Sequence, residues 1–354
     1  MTVIDNKALA QAITGAVGKN DEESTVSTYL DTGYPELNYA LSSRWNGGFP
    51  VGRIVELAGP PSAGKTALAT RAMAAAQKQG GIAGFMDHER SFSLRLAPNL
   101  GLDPTDGLFT FKKPRTFEES VSIFASVAET VRSKKLIPAS APICWVFDSL
   151  ASMVPKSALF DKNGKERSAE DRNMNDNTAL ARATSAHFPA LAMLAEEYGA
   201  CLIFLNQIRM KLGVLYGDPR TTPGGDAPKF YASTRIFLSS AQIKSGKEII
   251  GAEVTANVIK NKVARPFLKA SWRFMFNPDG TGKFDFERSM VDFMEREGFL
   301  PKASRNGFVM WNGVQIGKEQ LARDIEARGA FGELLAMLPA EYEPEVVAEI
   351  EAAE

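Results

Sequence analysis

The segment "GPPSAGKT", Gly59 to Thr66, follows the apolar run "GRIVELA" and opens the helix-forming stretch "KTALATRAMAAAQKQ". Few other folds tolerate that succession. A strand that empties into a glycine-paired turn and then a helix brings the turn's N–H groups and the helix N-terminus to one point of positive potential. A phosphate chain fits there. The spacing G-x-x-x-x-G-K-[ST] adds a lysine for the β- and γ-phosphates and a hydroxyl for Mg²⁺. Gly59, Pro60, Pro61, Ser62, Ala63, Gly64, Lys65, Thr66 and Ala67 are therefore the expected nucleotide-binding residues, with ATP and Mg²⁺ as ligands and Thr66 on the metal.

Around this unit, from about Val26 to Phe276, apolar runs alternate with helical patterns. The runs "GIAGFMD", "ICWVFDS", "CLIFLNQ" and "STRIFLSS" are accompanied by the helical "TFEESVSIFASVAETVRS" and "TALARATSAHFPALAMLAEEYG". Strands apolar at every position are buried on both faces, which with intervening helices indicates a mainly parallel α/β sheet flanked by helices. "AEVTANVIKNKV" and "KASWRFMFN" lack a helix between them and are expected as antiparallel strands at one side. The chain thus divides into an N-terminal helix and linker (1–24), a core (25–276), a small α+β C-terminal domain (277–338) and a tail (339–354). The tail carries only acidic charge and reads as solvated and partly disordered.

Ligands of open α/β sheets bind where the strands end. Asp148 closes "ICWVFD" and is the expected carboxylate for Mg²⁺, often through water. "GFMDHERSF" ends in Asp87, His88 and Glu89. A carboxylate there suits the orientation of an attacking water, although three ionisable residues in a row also suit a solvated turn. "LIFLNQIRMKLGVLYGDPRTTPGGDAPKFYAS" drives a core strand into Asn206-Gln207 and then into a long loop. A polar amide at that point can sense a terminal phosphate. Arg209, Lys211, Arg220 and the Gly224-Gly225 pair can then grip a phosphodiester backbone.

The whole chain carries 41 Lys and Arg against 42 Asp and Glu, so affinity for nucleic acid must come from such local patches. Both cysteines, Cys144 and Cys201, sit in apolar runs and read as buried free thiols suited to a reducing cytosol. The start is not a basic-then-apolar signal and no apolar run has membrane-spanning length, so a cytoplasmic protein without membrane attachment is expected.

On "GGFPVGRIVELAGPPSAGKT", "FMDHERSFSLRLAPNLGLD", "WVFDSLASM", the "NQIRMK…GG…KFYAS" block, "VIKNKVARPF" and "GVQIGKEQLARDIE", the chain resembles the RecA-type homologous recombinases over nearly its full length. The resemblance implies a P-loop ATPase core that polymerises head-to-tail on DNA, with ATP between protomers and the N-terminal helix serving oligomerisation. It implies Glu89 as the carboxylate activating water, Gln207 as γ-phosphate sensor, and Lys260 and Lys262 as lysines reaching the neighbour's nucleotide. Arg182 and Ser185 match DNA-contacting positions of the first DNA loop, and Arg209, Gly224 and Gly225 those of the second. Partners would be single-stranded DNA, homologous duplex DNA, copies of the chain itself, and single-strand-binding and mediator proteins.

Some residues depart from the bacterial pattern. Ser93 and Leu96 stand where an aspartate and a tyrosine lie near adenine, leaving Leu96 or Phe92 to pack against the base. The stretch "SALFDKNGKERSAEDRNMNDN" is long and polar, Pro189 is expected to interrupt the following helix, and "LDTGYPELNYALS" precedes the nucleotide loop. These features are similar to phage recombinases of the UvsX type, which would place the protein in a host cell's cytoplasm.

The expected function is DNA-stimulated ATP hydrolysis by a filament on single-stranded DNA that performs homologous pairing and strand exchange in recombination and repair. A nucleotide-gated structural or regulatory DNA filament with little ATPase activity is the alternative, and intact Lys65, Glu89, Lys260 and Lys262 argue against it. A ring helicase on the same core lacks an appended helicase-type domain.

Overall fold

The computed structural model describes residues 6–17, 24–95, 97–168, 176–210 and 219–344. Its centre is a sheet of nine strands: β1 (Ile54–Ala58), β2 (Ile82–Asp87), β3 (Phe109–Lys112), β4 (Ile143–Asp148), β5 (Ala200–Asn206), β6 (Thr234–Ser245), β7 (Glu248–Asn261), β8 (Lys269–Phe276) and β9 (Gly282–Asp285). Their spatial order is β9-β8-β7-β6-β1-β5-β4-β2-β3. From β6 to β3 the pairs are parallel, and β6 to β9 form antiparallel pairs. The expected mainly parallel α/β sheet is thus present, with one strand that the sequence reading lacked on each edge.

Every residue of β1, β2, β4 and β5 is buried. The period-2 alternation of a strand sorts them onto two faces. After helices α1 (Asn6–Val17) and α2 (Pro35–Ser42), helix α3 (Lys65–Lys78) lies on the face formed by Val55, Leu57, Phe85, Val146 and Ile203. Ile54, Met86, Trp145, Phe147, Leu202 and Phe204 face helices α4 (Phe117–Ser133) and α5 (Asp176–Glu197). Phe147 and Phe204 stack with ring centroids 4.4 Å apart. Gly84 leaves room for Trp145: a Cβ there would lie 2.3 Å from the indole ring. Cys144 and Cys201 face one another in register, buried and free, as expected.

Three expectations change. Helix α5 runs through Pro189 without a break. Phe188, Leu191 and Ala195 are fully buried, which holds both halves of the helix, and the backbone bond that proline cannot make falls at exposed Ser185. The boundary drawn between 276 and 277 falls between two strands of one sheet, since β8 pairs with β9 at Phe276 and Gly282. Helices α6 (Phe286–Arg296) and α7 (Lys318–Arg328) extend the same core through Met290, Phe293, Leu321 and Ile325. The third change concerns the tail. Its described part, 339–344, is docked: Trp45 Nε1 donates to the Pro339 carbonyl at 2.8 Å, and Tyr342 Oη donates to Glu297 at 2.8 Å. The Tyr342 ring packs 5.1 Å from both Trp45 and Tyr39 and 5.5 Å from Phe299. One tyrosine among the acidic residues finds an aromatic recess, which charge counting overlooks.

Tyr342→Ala should therefore lower unfolding stability by about 1–3 kcal/mol through lost burial and ring contacts, with Tyr342→Phe recovering most of it. Chemical denaturation midpoints check this.

Candidate functional site

The phosphate loop forms because its glycines adopt conformations that side chains resist. Gly64 has φ +85° and sits at the N-cap of α3, where it supplies no side-chain capping hydrogen bond. Gly59 is pressed against Leu238, whose carbonyl would lie 2.8 Å from a Cβ. Lys65 Nζ donates to the carbonyls of Gly59 (2.9 Å) and Pro60 (2.8 Å), curling over the loop it would serve. Burial lowers its pKa.

Thr66 Oγ1 lies 3.3 Å from Asp148 Oδ2, so hydroxyl and carboxylate meet at the mouth of the loop. Asp148 is 2% exposed, and burial, reinforced by Glu89 and Asp87, raises its pKa to about 7. A carboxylate held in so anionic a place suits a divalent cation shared with phosphate and water. Among the described residues no cluster of three or more His, Cys, Asp or Glu could hold a metal unaided. Thr66 and Asp148 fit Mg²⁺, and Lys65 with the first-turn N–H groups of α3 fits the phosphates.

Three parallel strand ends converge beside them. The N–H groups of His88 and Glu89 both donate to the Asp148 carbonyl, at 2.6 and 3.2 Å, which ties the end of β2 to that of β4. Asp87 is wholly buried and accepts from the N–H groups of Ser91 (3.2 Å) and Phe92 (3.3 Å), so it caps the turn. Glu89 is exposed and turned toward β5: its Oε1 accepts from Gln207 Nε2 at 3.0 Å and from Ser149 Oγ at 2.6 Å. The structure thus brings Lys65, Thr66, Asp148, Glu89 and Gln207 together. Ser149 was missed, and its only signal was its place directly after Asp148.

The DNA-site candidates form a second group. Gly224 (φ +101°) and Gly225 (φ +76°) pack against α5: a Cβ on Gly225 would come 2.8 Å from Ala181 Cβ, and Thr184 Oγ1 donates to the Gly224 carbonyl at 2.7 Å. Arg182 and Ser185, both exposed, lie on the same helix beside these contacts. Arg209 is exposed and pairs with Thr221 in a short two-stranded ribbon, Arg209–Met210 with Arg220–Thr221. Lys211 lies outside the described residues, as does Leu96. Phe92 is not free to pack on a base as expected: it stacks on Phe85 at 4.0 Å and packs with Phe109 and Phe111.

Lys260 and Lys262 do not join the nucleotide group. Lys260 is level with Arg235 and, through it, with Glu56, two strands from β1 on the side away from Asp148 and Glu89. Its Nζ donates to the carbonyls of Lys229 and Phe230, and both ammonium groups lie about 6 Å from the ring of exposed Phe230.

Residues 3–281 match the family model described as the RecA N-terminal domain. The chain belongs to the RecA family. It is 35% identical over 312 residues to Protein RecA 2 of Myxococcus xanthus, covering 84% of this chain and 79% of that one. It is 36% identical over 308 residues to Protein RecA of Bacteroides thetaiotaomicron, covering 86% and 84%. The crystal structure of the RadB recombinase aligns with TM-score 0.47 and 21% identity over 71% of this chain and 97% of that one. The relatives named here are bacterial, and the expected kinship with phage recombinases of the UvsX type draws no support from them. No helix among the described residues is long and apolar enough to cross a membrane.

His88 in this RecA-family chain braces the Glu89 turn. Its Nε2 lies 2.5 Å from Ser120 Oγ, which itself bonds to the Thr116 carbonyl, and burial with the nearby Arg90 lowers its pKa to about 4. The folded state therefore resists protonation that the unfolded chain accepts near pH 6.5. Stability is full above that pH and falls as pH drops toward 4, by at most about 3 kcal/mol. Replacing His88 with Asn should flatten this part of the stability–pH curve, as urea titrations across pH 7 to 4 would measure.

Proposed function

We propose that this chain is a DNA-stimulated ATPase that assembles on single-stranded DNA as a head-to-tail filament and carries out homologous pairing and strand exchange. The observation that carries the reading is the Gln207–Glu89 hydrogen bond of 3.0 Å. It joins the exposed Glu89 carboxylate, at the strand end beside that of Asp148, to the first residue of the loop that returns through Gly224 and Gly225. A γ-phosphate offers Gln207 Nε2 a more strongly charged acceptor than Glu89 does. Engagement of that phosphate frees Glu89 Oε1 to accept a proton from water and draws on the loop that faces DNA. Bound ATP with Mg²⁺ supplies the reactive phosphoryl group and the charge that stabilises its departure. Lys65 and the N-terminus of α3 orient it, and Ser149 steadies the carboxylate. The names of the bacterial relatives agree with this role.

Lys260 and Lys262 fit completion of a neighbouring protomer's site, because β7, which carries Lys260 and ends just before Lys262, lies two strands from β1 on the side away from Asp148 and Glu89. The exposed Leu9, Ile13 and Val17, spaced four apart on the N-terminal helix Asn6–Val17, offer an apolar stripe for the same assembly. Electron microscopy with single-stranded DNA and a non-hydrolysable ATP analogue tests the reading. Helical filaments are expected, and discrete monomers or rings alone would overturn it. Glu89→Gln should keep ATP bound while DNA-stimulated hydrolysis falls by about 10²–10⁴-fold, the usual contribution of a general base. Normal turnover would remove Glu89 from its role and revive the non-hydrolysing filament.

Burial and repulsion from Lys262 and Arg235 lower the Lys260 pKa to about 8. Its charge is present below that pH and lost above it. DNA-stimulated turnover should decline as pH rises past about 8, and Lys260→Arg, which stays protonated, should remove the decline. Initial rates from pH 7 to 9.5 check this.

A further inference from the structure

Glu56 is a charged residue in the middle of the fully buried strand β1, three positions before the phosphate loop, and only 1% exposed. Its Oε2 accepts from Arg235 Nε at 2.6 Å and its Oε1 from Asn206 Nδ2 at 2.8 Å. A buried ion pair of this kind rarely improves stability over apolar residues of the same volume. Geometry suggests another reason for its presence.

Asn206, wholly buried at the end of β5, has both hydrogens of its side-chain amide and its Oδ1 engaged. Its Nδ2 also donates to the Pro223 carbonyl at 2.9 Å, and its Oδ1 accepts from Gln207 N at 2.9 Å. Its own carbonyl accepts from the N–H of Gly59, the first residue of the phosphate loop, at 3.3 Å. Arg235 Nη2 approaches Thr222 Oγ1 at 3.5 Å. The departing and returning ends of the 207–222 segment therefore close on a single carboxylate, beside Gly224 and Gly225 on one side and the phosphate loop on the other.

We propose that Glu56, with Asn206 and Arg235, forms a junction that transmits displacement of Gln207 to the Pro223–Gly225 end of the DNA loop, so that Glu56 is a positioning residue for nucleotide-dependent DNA binding. This rests on the function proposed above. With both Nδ2 hydrogens and Oδ1 of Asn206 engaged, a shift of the Gln207 backbone cannot be absorbed by the side chain alone. It moves the amide, and the amide carries the Pro223 carbonyl with it. Without the Glu56 anchor the amide can rotate, and motion at Gln207 is lost before it reaches the glycines.

The readout is the factor by which a non-hydrolysable ATP analogue tightens binding of a labelled single-stranded oligonucleotide, followed by fluorescence anisotropy. Replacing the ion pair as a whole, Glu56→Met with Arg235→Met, fills the core and leaves no charge buried alone. Affinity for a fluorescent ADP analogue should stay within about twofold, while the tightening factor falls by about tenfold or more. Asn206→Ala cuts the junction from the other side and should reduce the same factor, which keeps the idea testable if the double variant does not fold. A folded variant of either kind with the wild-type factor would overturn the junction alone. A wild-type protein in which nucleotide does not tighten DNA binding at all would overturn the proposed function, and the junction with it.

Discussion

A parallel sheet buried on both faces can carry charge cheaply only where its strands stop. Strands β1, β2, β4 and β5 are buried at every position, so the polar and ionisable groups these strands carry gather at or just beyond their carboxyl ends. Neighbouring strands lie about 4.8 Å apart, and β1, β5, β4 and β2 are consecutive. Gly59, Gln207, Asp148 and Glu89 must then fall within a few side-chain lengths of one another. The hydrogen bonds among Thr66, Asp148, Ser149, Glu89 and Gln207 are the consequence. Glu56 is the exception, a charge held inside a strand, and it persists with two partners, the buried Asn206 and the half-buried Arg235.

The same constraint explains what the sequence revealed. Strands apolar throughout stand out against helices with a polar face, so the phosphate-loop strand and the strands ending in Asp87, Asp148 and Asn206 were legible, as were the residues at their ends. The edge strands were not. Phe109–Lys112 is four residues long and half-exposed, and Gly282–Asp285 shows only one apolar residue. Neither has the continuous apolar run that marks a central strand. Glu56 left a signal, a lone acid inside "GRIVELAG", but its partners come from 150 and 179 residues away and nothing local names them. Tyr342 was hidden by its acidic neighbours, and Phe92 by the expectation that an aromatic residue near a nucleotide site faces the base.

Two carboxylates of the Asp87–Glu89 turn illustrate why residue type alone does not assign a role. Asp87 spends both oxygens on backbone N–H groups and is buried, whereas Glu89 is exposed and shares one oxygen among side chains that can move. The first acid shapes the turn and the second is left for chemistry. His88 between them points to α4 and fixes the direction in which Glu89 leaves the strand.

Helix α5 is gripped unevenly along its length. Beyond Pro189 it is held by Leu191 and Ala195 in the core, and just before it Phe188 lies against Phe204 at 4.8 Å. Toward Arg182 the contacts pass mostly through small side chains, Ala179, Ala181, Ala183 and Thr184, with half-buried Leu180 the one large apolar residue among them. The missing backbone bond of the proline falls at the border between the two regimes, where a rod clamped at one end bends most readily. Compliance is thereby concentrated at one point. On the function proposed above, the end of the helix that carries Arg182, Ser185 and the seat of the two glycines would tilt as a unit while the embedded end stays still, giving the surface assigned to DNA a stiffness separate from that of the sheet.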